Sequence, residues 1–390
     1  MKGSVSKKGN KYYYALYRGR DKDTGKKKYV TSKGFRTKQE AEHALAIELG
    51  AIARDEYVLP DKMTFSQYVY QWLESYGVMN LKQTTLEGYY KYFENHILPN
   101  IGEIPIQVLK PFHLQTLYHK LLTKGRVDGK GGLSGKTVGQ VHRIISKALN
   151  DAVKLEVVSR NVAKKITPPK AKKYEVKVVS LEDIPRFLEL YENNKVYIAV
   201  VLALNLGLRR GEVLGLQWGN VDFSSKRIHI SKNLVNTTDG PKLTDPKTDK
   251  SVRTLMISDQ LIVKLRDQKL RQELFREKYG DDYVDNGFVV TRDNGEIINP
   301  GRFSHNFKDV ILASEWAKEK YLELRFHDLR HSNATILMAS GTISPKIISS
   351  RLGHSNIGIT MDLYMHANTT MQQGAVDELD QIIYLGGKDD

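Results

Sequence analysis

The stretch RFHDLRHSNATILMASG, residues 325–341, sets His327, Arg330 and His331 on the opening turns of a helix that continues into Ile336, Leu337 and Met338. His327 and Arg330, spaced i and i+3, share one face of that helix. Three uses compete for such residues. They form a polar helix start with no further role, a metal site on His327 and His331 at i and i+4, or an anion site shaped for a phosphate. A metal pair at this spacing wants a third ligand and a carboxylate base, whereas Arg330 sets a fixed cation against the metal.

Three other stretches carry residues of matching chemistry. In LNLGLRRGEVLGLQW, residues 204–218, Gly207 interrupts an apolar run and Arg209 follows it. Glu212 lies at i+3 from Arg209, near enough to hold the guanidinium in one pose. In isolation this is equally a structural ion pair. In RLGHSNIGITMDLYMH, residues 351–366, His354 follows a helix-stopping glycine and Tyr364 comes ten residues later. A tyrosine hydroxyl, with a pKa near ~10, is a useful nucleophile only where cations stabilise the charge that develops on attack. Finally, Lys247 stands in DPKTDKSVR, with Lys242 and Lys250 close by. A lysine on a hairpin turn is ordinarily solvated, but a mobile ammonium there can also reach a DNA groove and donate a proton.

Arg209, Lys247, His327, Arg330, His354 and Tyr364 together could bind a phosphodiester, neutralise its pentavalent transition state and attack phosphorus without a metal. At this point GLRRGE, HDLRH, LGH and TMDLYMH resemble the tyrosine recombinase family, specifically lambda-integrase-like integrases of temperate phages and conjugative transposons. The resemblance covers nearly the whole chain, and the order and spacing of the four boxes make it specific. It implies that Arg209 and Arg330 clamp the scissile phosphate and that Tyr364 attacks it to form a 3′-phosphotyrosyl bond. It implies that Lys247 protonates the leaving 5′ oxygen, that His327 assists proton transfer and that His354 hydrogen-bonds the phosphate. It further implies a homotetramer on double-stranded DNA, core and arm attachment sites, an excisionase or directionality factor, and a host DNA-bending protein. No cofactor and no metal are expected. A type IB topoisomerase shares this chemistry but works as a monomer, and a DNA-binding regulator would need none of it.

The whole chain is consistent with such a partner. Its 390 residues allow two or three domains, and an apolar content of 40% allows real cores. The net charge of +15, from 60 Lys and Arg against 45 Asp and Glu, favours a polyanion, with nucleic acid ahead of membrane. There is no cysteine, which removes disulfides and thiolate chemistry and fits a reducing compartment. No signal-peptide pattern opens the sequence. The best apolar run, Val196 to Leu208, is too short for a bilayer span. A cytoplasmic location, with no membrane partner, is the expectation.

The elements that must position these residues follow from periodicity. Residues 1–36 hold 12 Lys and Arg against Asp21 and Asp23, interleaved with Tyr12, Tyr13, Tyr14, Tyr17, Tyr29 and Phe35. KYYYALYR and KKYVTSK read as strands, and Thr37 with Glu40 as the capping box of a following helix. Helical stripes then succeed one another: Phe65, Val69, Trp72, Leu73 and Tyr76; Leu86, Tyr90, Phe93 and Ile97, capped by Thr84 and Glu87; Leu114, Leu117 and Leu121; Val138, Val141, Ile145, Leu149 and Ala152. Pro168-Pro169 and seven Lys and Arg mark residues 159–179 as a basic linker. VDFSSKRIHI and SVRTLMI alternate as strands of one β insert. In the tail, Ala375, Val376, Leu379, Ile382 and Ile383 recur at helical spacing and need an apolar partner, on the same chain or on a neighbour.

The sequence thus predicts a multidomain, mainly α protein. With the resemblance, residues 1–60 are a small β-sheet plus helix that binds arm-type DNA, and 64–158 a four-helix core-binding domain. Residues 159–179 are the linker, 180–366 a mixed α catalytic domain with a small β-sheet, and 367–390 a docking tail.

Overall fold

The computed structural model describes residues 3–20, 24–53, 61–171, 176–246 and 251–353, with Gly358 and Met361. The chain divides into two units, Met1–Lys173 and Tyr174–Asp390.

In the first unit, alternation builds a three-stranded antiparallel sheet of β1 (Gly3–Lys8), β2 (Lys11–Arg20) and β3 (Lys27–Thr31), in that order. β2 and β3 are the two strands read from sequence. β1 is an addition that periodicity does not reveal, because GSVSKK is almost wholly exposed. Gly9, at φ +62°, makes the tight turn that folds β1 back onto β2. The helix Lys38–Ala53 starts as expected: the Glu40 N–H donates to Thr37 Oγ1 at 3.2 Å, and the Glu40 carboxylate accepts from the Thr37 N–H. Leu16, Ala41 and Leu45 are buried where this helix meets the sheet.

Four helical rods follow, over 65–80, 83–101, Pro111–Lys124 and Gly135–Lys154. The first two each widen for one turn, at Leu73–Gly77 and Phe93–Ile97, without ending. Phe65, Trp72, Phe93, Leu114, Val141 and Ile145 form the shared core. The Thr84–Glu87 cap is not formed. The second rod already begins at Gln83, and Glu87 instead accepts from the Gln83 side chain at 3.1 Å. The stretch expected to open the linker is also partly packed: Val162 and Ala163 are buried in the helical core. The Asn161 side chain donates to the Ser146 carbonyl and to Asn150 Oδ1, each at 2.9 Å. Two adjacent small apolar residues suffice to hold this basic segment down, while Lys164 and Lys165 stay exposed.

In the second unit the helix Tyr197–Leu206 is buried on nearly every side, as its almost continuous apolar sequence, broken by Asn205, dictates. β4 (Val221–Asp222), β5 (Arg227–Ile230) and a later strand, Arg253–Met256, form an antiparallel sheet. Ile228 pairs with Leu255 and Ile230 with Arg253. These are the strands read from sequence. Between them, β6 (Asn233–Thr237) and β7 (Gly240–Thr244) make a separate hairpin. It turns at Gly240, φ +110°, and the sequence reading left it unassigned. Helices Asp259–Tyr279, Pro300–Ala313, Glu315–Tyr321, Asp328–Ala339 and Pro345–Leu352 complete the unit. Among the described residues no helix is long and apolar enough to cross a membrane.

Candidate active site

The helix Asp328–Ala339 begins where the sequence places HDLRH. Asp328, fully buried, accepts from the Arg325 N–H at 2.8 Å and from its guanidinium, which fixes the first turn. Ser332 ties the same turn inward, accepting from the Val179 N–H at 2.9 Å. Arg330 therefore points into the protein, with 2% of its surface exposed. Its Nη1 donates to the Gly207 carbonyl at 2.7 Å. One turn on, Asn333 donates to the carbonyls of Leu204 and Asn205. Arg330 and Asn333 thus satisfy the open carbonyls at the end of the helix Tyr197–Leu206. Arg330 Nη2 is buried and has no hydrogen-bond partner among the described residues. Burial, and then the nearby Arg209, push the Arg330 guanidinium down to about 9, so it remains a cation at neutral pH.

Gly207, in the left-handed conformation at φ +62°, ends the preceding helix and turns the chain. A Cβ there would stand 2.2 Å from the Leu352 side chain and 2.8 Å from Asn333 Oδ1. This turn delivers Arg209 to the start of the short helix Arg210–Leu214. The Arg209 N–H and Nη1 donate to the Glu212 carboxylate at 2.9 and 2.7 Å, and Nη2 donates to the Gly353 carbonyl at 2.7 Å. Glu212 is itself buried and receives a second guanidinium, from Arg253, at 2.9 and 3.2 Å. Burial pushes the Glu212 carboxyl up, but Arg253 and Arg209 outweigh it and hold the group below the usual carboxylate range.

His327 immediately precedes the Arg330 helix and keeps one side exposed. Its ring meets His331 edge-on, centroids 5.3 Å apart. Desolvation on the packed side, then His331 and Arg330, push its pKa down to about 4, so the ring is neutral at pH 7. Among the described residues no cluster of three His, Asp, Glu or Cys could hold a metal.

The structure therefore brings together Arg209, Arg330 and His327 of the six expected residues. Lys247, His354 and Tyr364 lie outside the described residues, as does the tail 367–390. Gly353, next to His354 in the chain, is held by Arg209. Sequence reasoning missed Arg253 and Asn333. The signal for Arg253 was present: alternation in SVRTLMI puts it on the same face as the buried Leu255. An arginine on a core-facing position requires a buried partner.

Residues 177–371 match the Phage integrase family, residues 64–122 the Phage integrase N-terminal SAM-like domain, and residues 4–50 the Arm DNA-binding domain. The chain belongs to the phage integrase family. A relative described as "Tyrosine recombinase XerC-like", from Caldanaerobacter subterraneus subsp. tengcongensis, is 28% identical over 98% of this chain and 99% of its own. In fold, the chain is similar to the integrase of the Tn1549 transposon, solved in complex with a circular intermediate DNA. The TM-score is 0.66 at 22% identity, over 81% of this chain and 99% of that one. It is also similar to lambda integrase, solved as a tetramer bound to a Holliday junction, with a TM-score of 0.51 at 17% identity, over 90% and 95%.

This integrase is a tyrosine-type site-specific recombinase, an enzyme of DNA cleavage and rejoining. Its mainly helical architecture, with a small N-terminal sheet, a helical SAM-like region and a mixed catalytic region, is that of the family. The family match spans all six residues singled out from sequence.

Proposed function

We propose that the integrase cuts and rejoins double-stranded DNA at attachment sites of a phage or conjugative element, with Arg209 and Arg330 clamping the scissile phosphate. The observation that carries this reading is the buried Arg330 guanidinium. One of its nitrogens is spent on Gly207 and another has no partner among the described residues, close enough to Arg209 for the two cations to repel. A protein gains nothing in stability from two such cations side by side. A phosphodiester with its two non-bridging oxygens resolves the conflict, because each guanidinium donates to an oxygen that becomes more negative in the transition state.

In the reaction proposed, the Tyr364 hydroxyl oxygen bonds to phosphorus and the bond to the 5′ oxygen breaks. Neutral His327 assists proton transfer. Lys247 supplies the proton that the leaving 5′ hydroxyl requires, and His354 donates to the phosphate. The 3′-phosphotyrosyl bond keeps the phosphodiester energy. A 5′ hydroxyl from the partner duplex can therefore attack it and regenerate tyrosine without ATP or a metal.

The same reading assigns arm sites to residues 1–60, whose sheet carries tyrosines interspersed with lysines and arginines, and core sites to residues 64–158 and 180–366. The linker it includes is residues 159–179, of which Val162 and Ala163 are buried in the helical core. Exchange of two duplexes requires four active sites, hence a homotetramer on DNA. In it the tail 367–390 docks on a neighbouring protomer. A directionality factor and a host DNA-bending protein complete the set of partners. The setting is the cytoplasm of a bacterial host. The test is a nicked suicide substrate: wild type should trap a covalent adduct, and Tyr364→Phe should bind the same DNA and trap none. An adduct with the Phe variant would overturn the assignment.

A further inference from the structure

We infer that Arg253 is a positioning residue for cleavage, one that holds Arg209 fixed toward the phosphate and offsets the charge of Glu212 by occupying its far side. The inference rests on the clamp reading above and adds to it a residue that does not touch DNA.

The geometry is a closed circuit. Glu212 binds Arg209 through the Arg209 N–H and Nη1, and binds Arg253 through both Nη atoms of Arg253. Arg253 Nε donates to the Arg351 carbonyl at 2.7 Å, and Arg253 Nη1 donates to the Ser251 carbonyl at 3.0 Å. Two residues beyond Arg351, the Gly353 carbonyl accepts from Arg209. One guanidinium thus joins three segments. These are the strand Arg253–Met256, the short helix holding Glu212, and the end of the helix Pro345–Leu352.

Charge explains why a second arginine is needed. Glu212 alone would fix Arg209 but would cancel most of its positive field in a site of low dielectric. With Arg253 added, two cations share one carboxylate and the group is left with a net charge of one. Arg253 is 7% exposed, and all three of its guanidinium nitrogens are engaged by Glu212, Ser251 and Arg351. Arg209 is about a third exposed, so the residual charge is presented there. Arg253 also holds the carbonyl of Ser251, the residue that follows Lys250 in the chain.

The experiment uses the full chain and two nicked suicide substrates, one with an ordinary scissile phosphate and one with an uncharged methylphosphonate in its place. Arg253→Gln should bind the ordinary DNA as wild type does and form the covalent adduct roughly 10- to 100-fold more slowly. The defect should shrink markedly on the methylphosphonate, because a neutral centre needs less of the net positive charge that Arg253 contributes beside Glu212. A variant that cleaves at the wild-type rate overturns the inference. So does a defect of equal size on both substrates, which marks a merely structural role. Should Arg253→Gln fail to fold, Arg253→Met, which likewise removes the charge and keeps the length of the side chain, is read in the same way. Arg209→Ala is run alongside. If it cleaves normally the clamp reading itself fails, whereas a dead Arg209→Ala beside a normal Arg253→Gln removes only Arg253.

Discussion

Arg209 Nη2 lies 2.7 Å from the Gly353 carbonyl, across 144 positions of sequence. The contact joins the GLRRGE box to the LGH box by a charge-assisted hydrogen bond. It uses a backbone carbonyl, which any residue supplies, and so no side-chain pattern could announce it. Its consequence is that the arginine proposed to grip the phosphate also fixes the turn from which His354 follows.

Arg330 should be worth more to cleavage than to stability. Its burial costs several kcal/mol, while the hydrogen bond to Gly207 returns about 1–3 kcal/mol. Arg330→Met should therefore leave the melting temperature unchanged or higher and slow adduct formation roughly 100- to 1000-fold. DNA binding should change little, since many other cations meet the backbone. A large loss of melting temperature with cleavage intact would make Arg330 a structural residue.

His327 should titrate near 4 in the free protein, against 6.5 ordinarily. Between those values the unfolded chain holds a proton that the folded chain does not, so this group makes stability fall as pH drops from about 6.5 toward 4. Replacing it with Asn should flatten that slope. A bound DNA phosphate adds negative charge and should raise the His327 midpoint. NMR of the ring checks both effects, and an ordinary midpoint in free protein would contradict the desolvation and the neighbouring charges described above.

Gly207→Ala should damage stability and chemistry together. A Cβ at φ +62° would meet Leu352 and Asn333, at a backbone cost of about 1–3 kcal/mol. The shift also moves the carbonyl that holds Arg330. A lowered denaturant midpoint together with slower cleavage is expected. An unchanged cleavage rate would mean that Arg330 does not depend on this turn.

Residues 1–60 should be dispensable for cutting and required for integration. A fragment beginning at Met63 should still form adducts on core DNA but fail to integrate a donor carrying arm sites. Footprints of the intact protein showing one class of site only would refute the assignment of the basic sheet.

Much of this was legible in the sequence because it depends on periodicity. The stripes of Phe65, Trp72 and Leu114 and the strands around Ile228 and Leu255 all form as their spacing dictates. The misses share a cause. β1 has no buried face, the second strand of the β6–β7 hairpin has no buried residue, and Thr84 loses its cap because the helix starts one residue before it. In each case the deciding interaction is a backbone bond or a distant contact that leaves no local pattern. Within the site, residue types identified Arg209, Arg330 and His327. Which cations share Glu212 was not legible, since Arg253 reaches it from a strand 41 positions away.

The central claim is a covalent bond between Tyr364 and a 3′ phosphate. Wild-type protein would be incubated with a nicked suicide substrate in EDTA, digested, and the DNA-linked peptide sequenced by mass spectrometry. A nucleotide attached to the Tyr364 oxygen through a 3′ phosphate, undiminished by the chelator, is the predicted result. Attachment at another residue, or cleavage without any adduct, would contradict it.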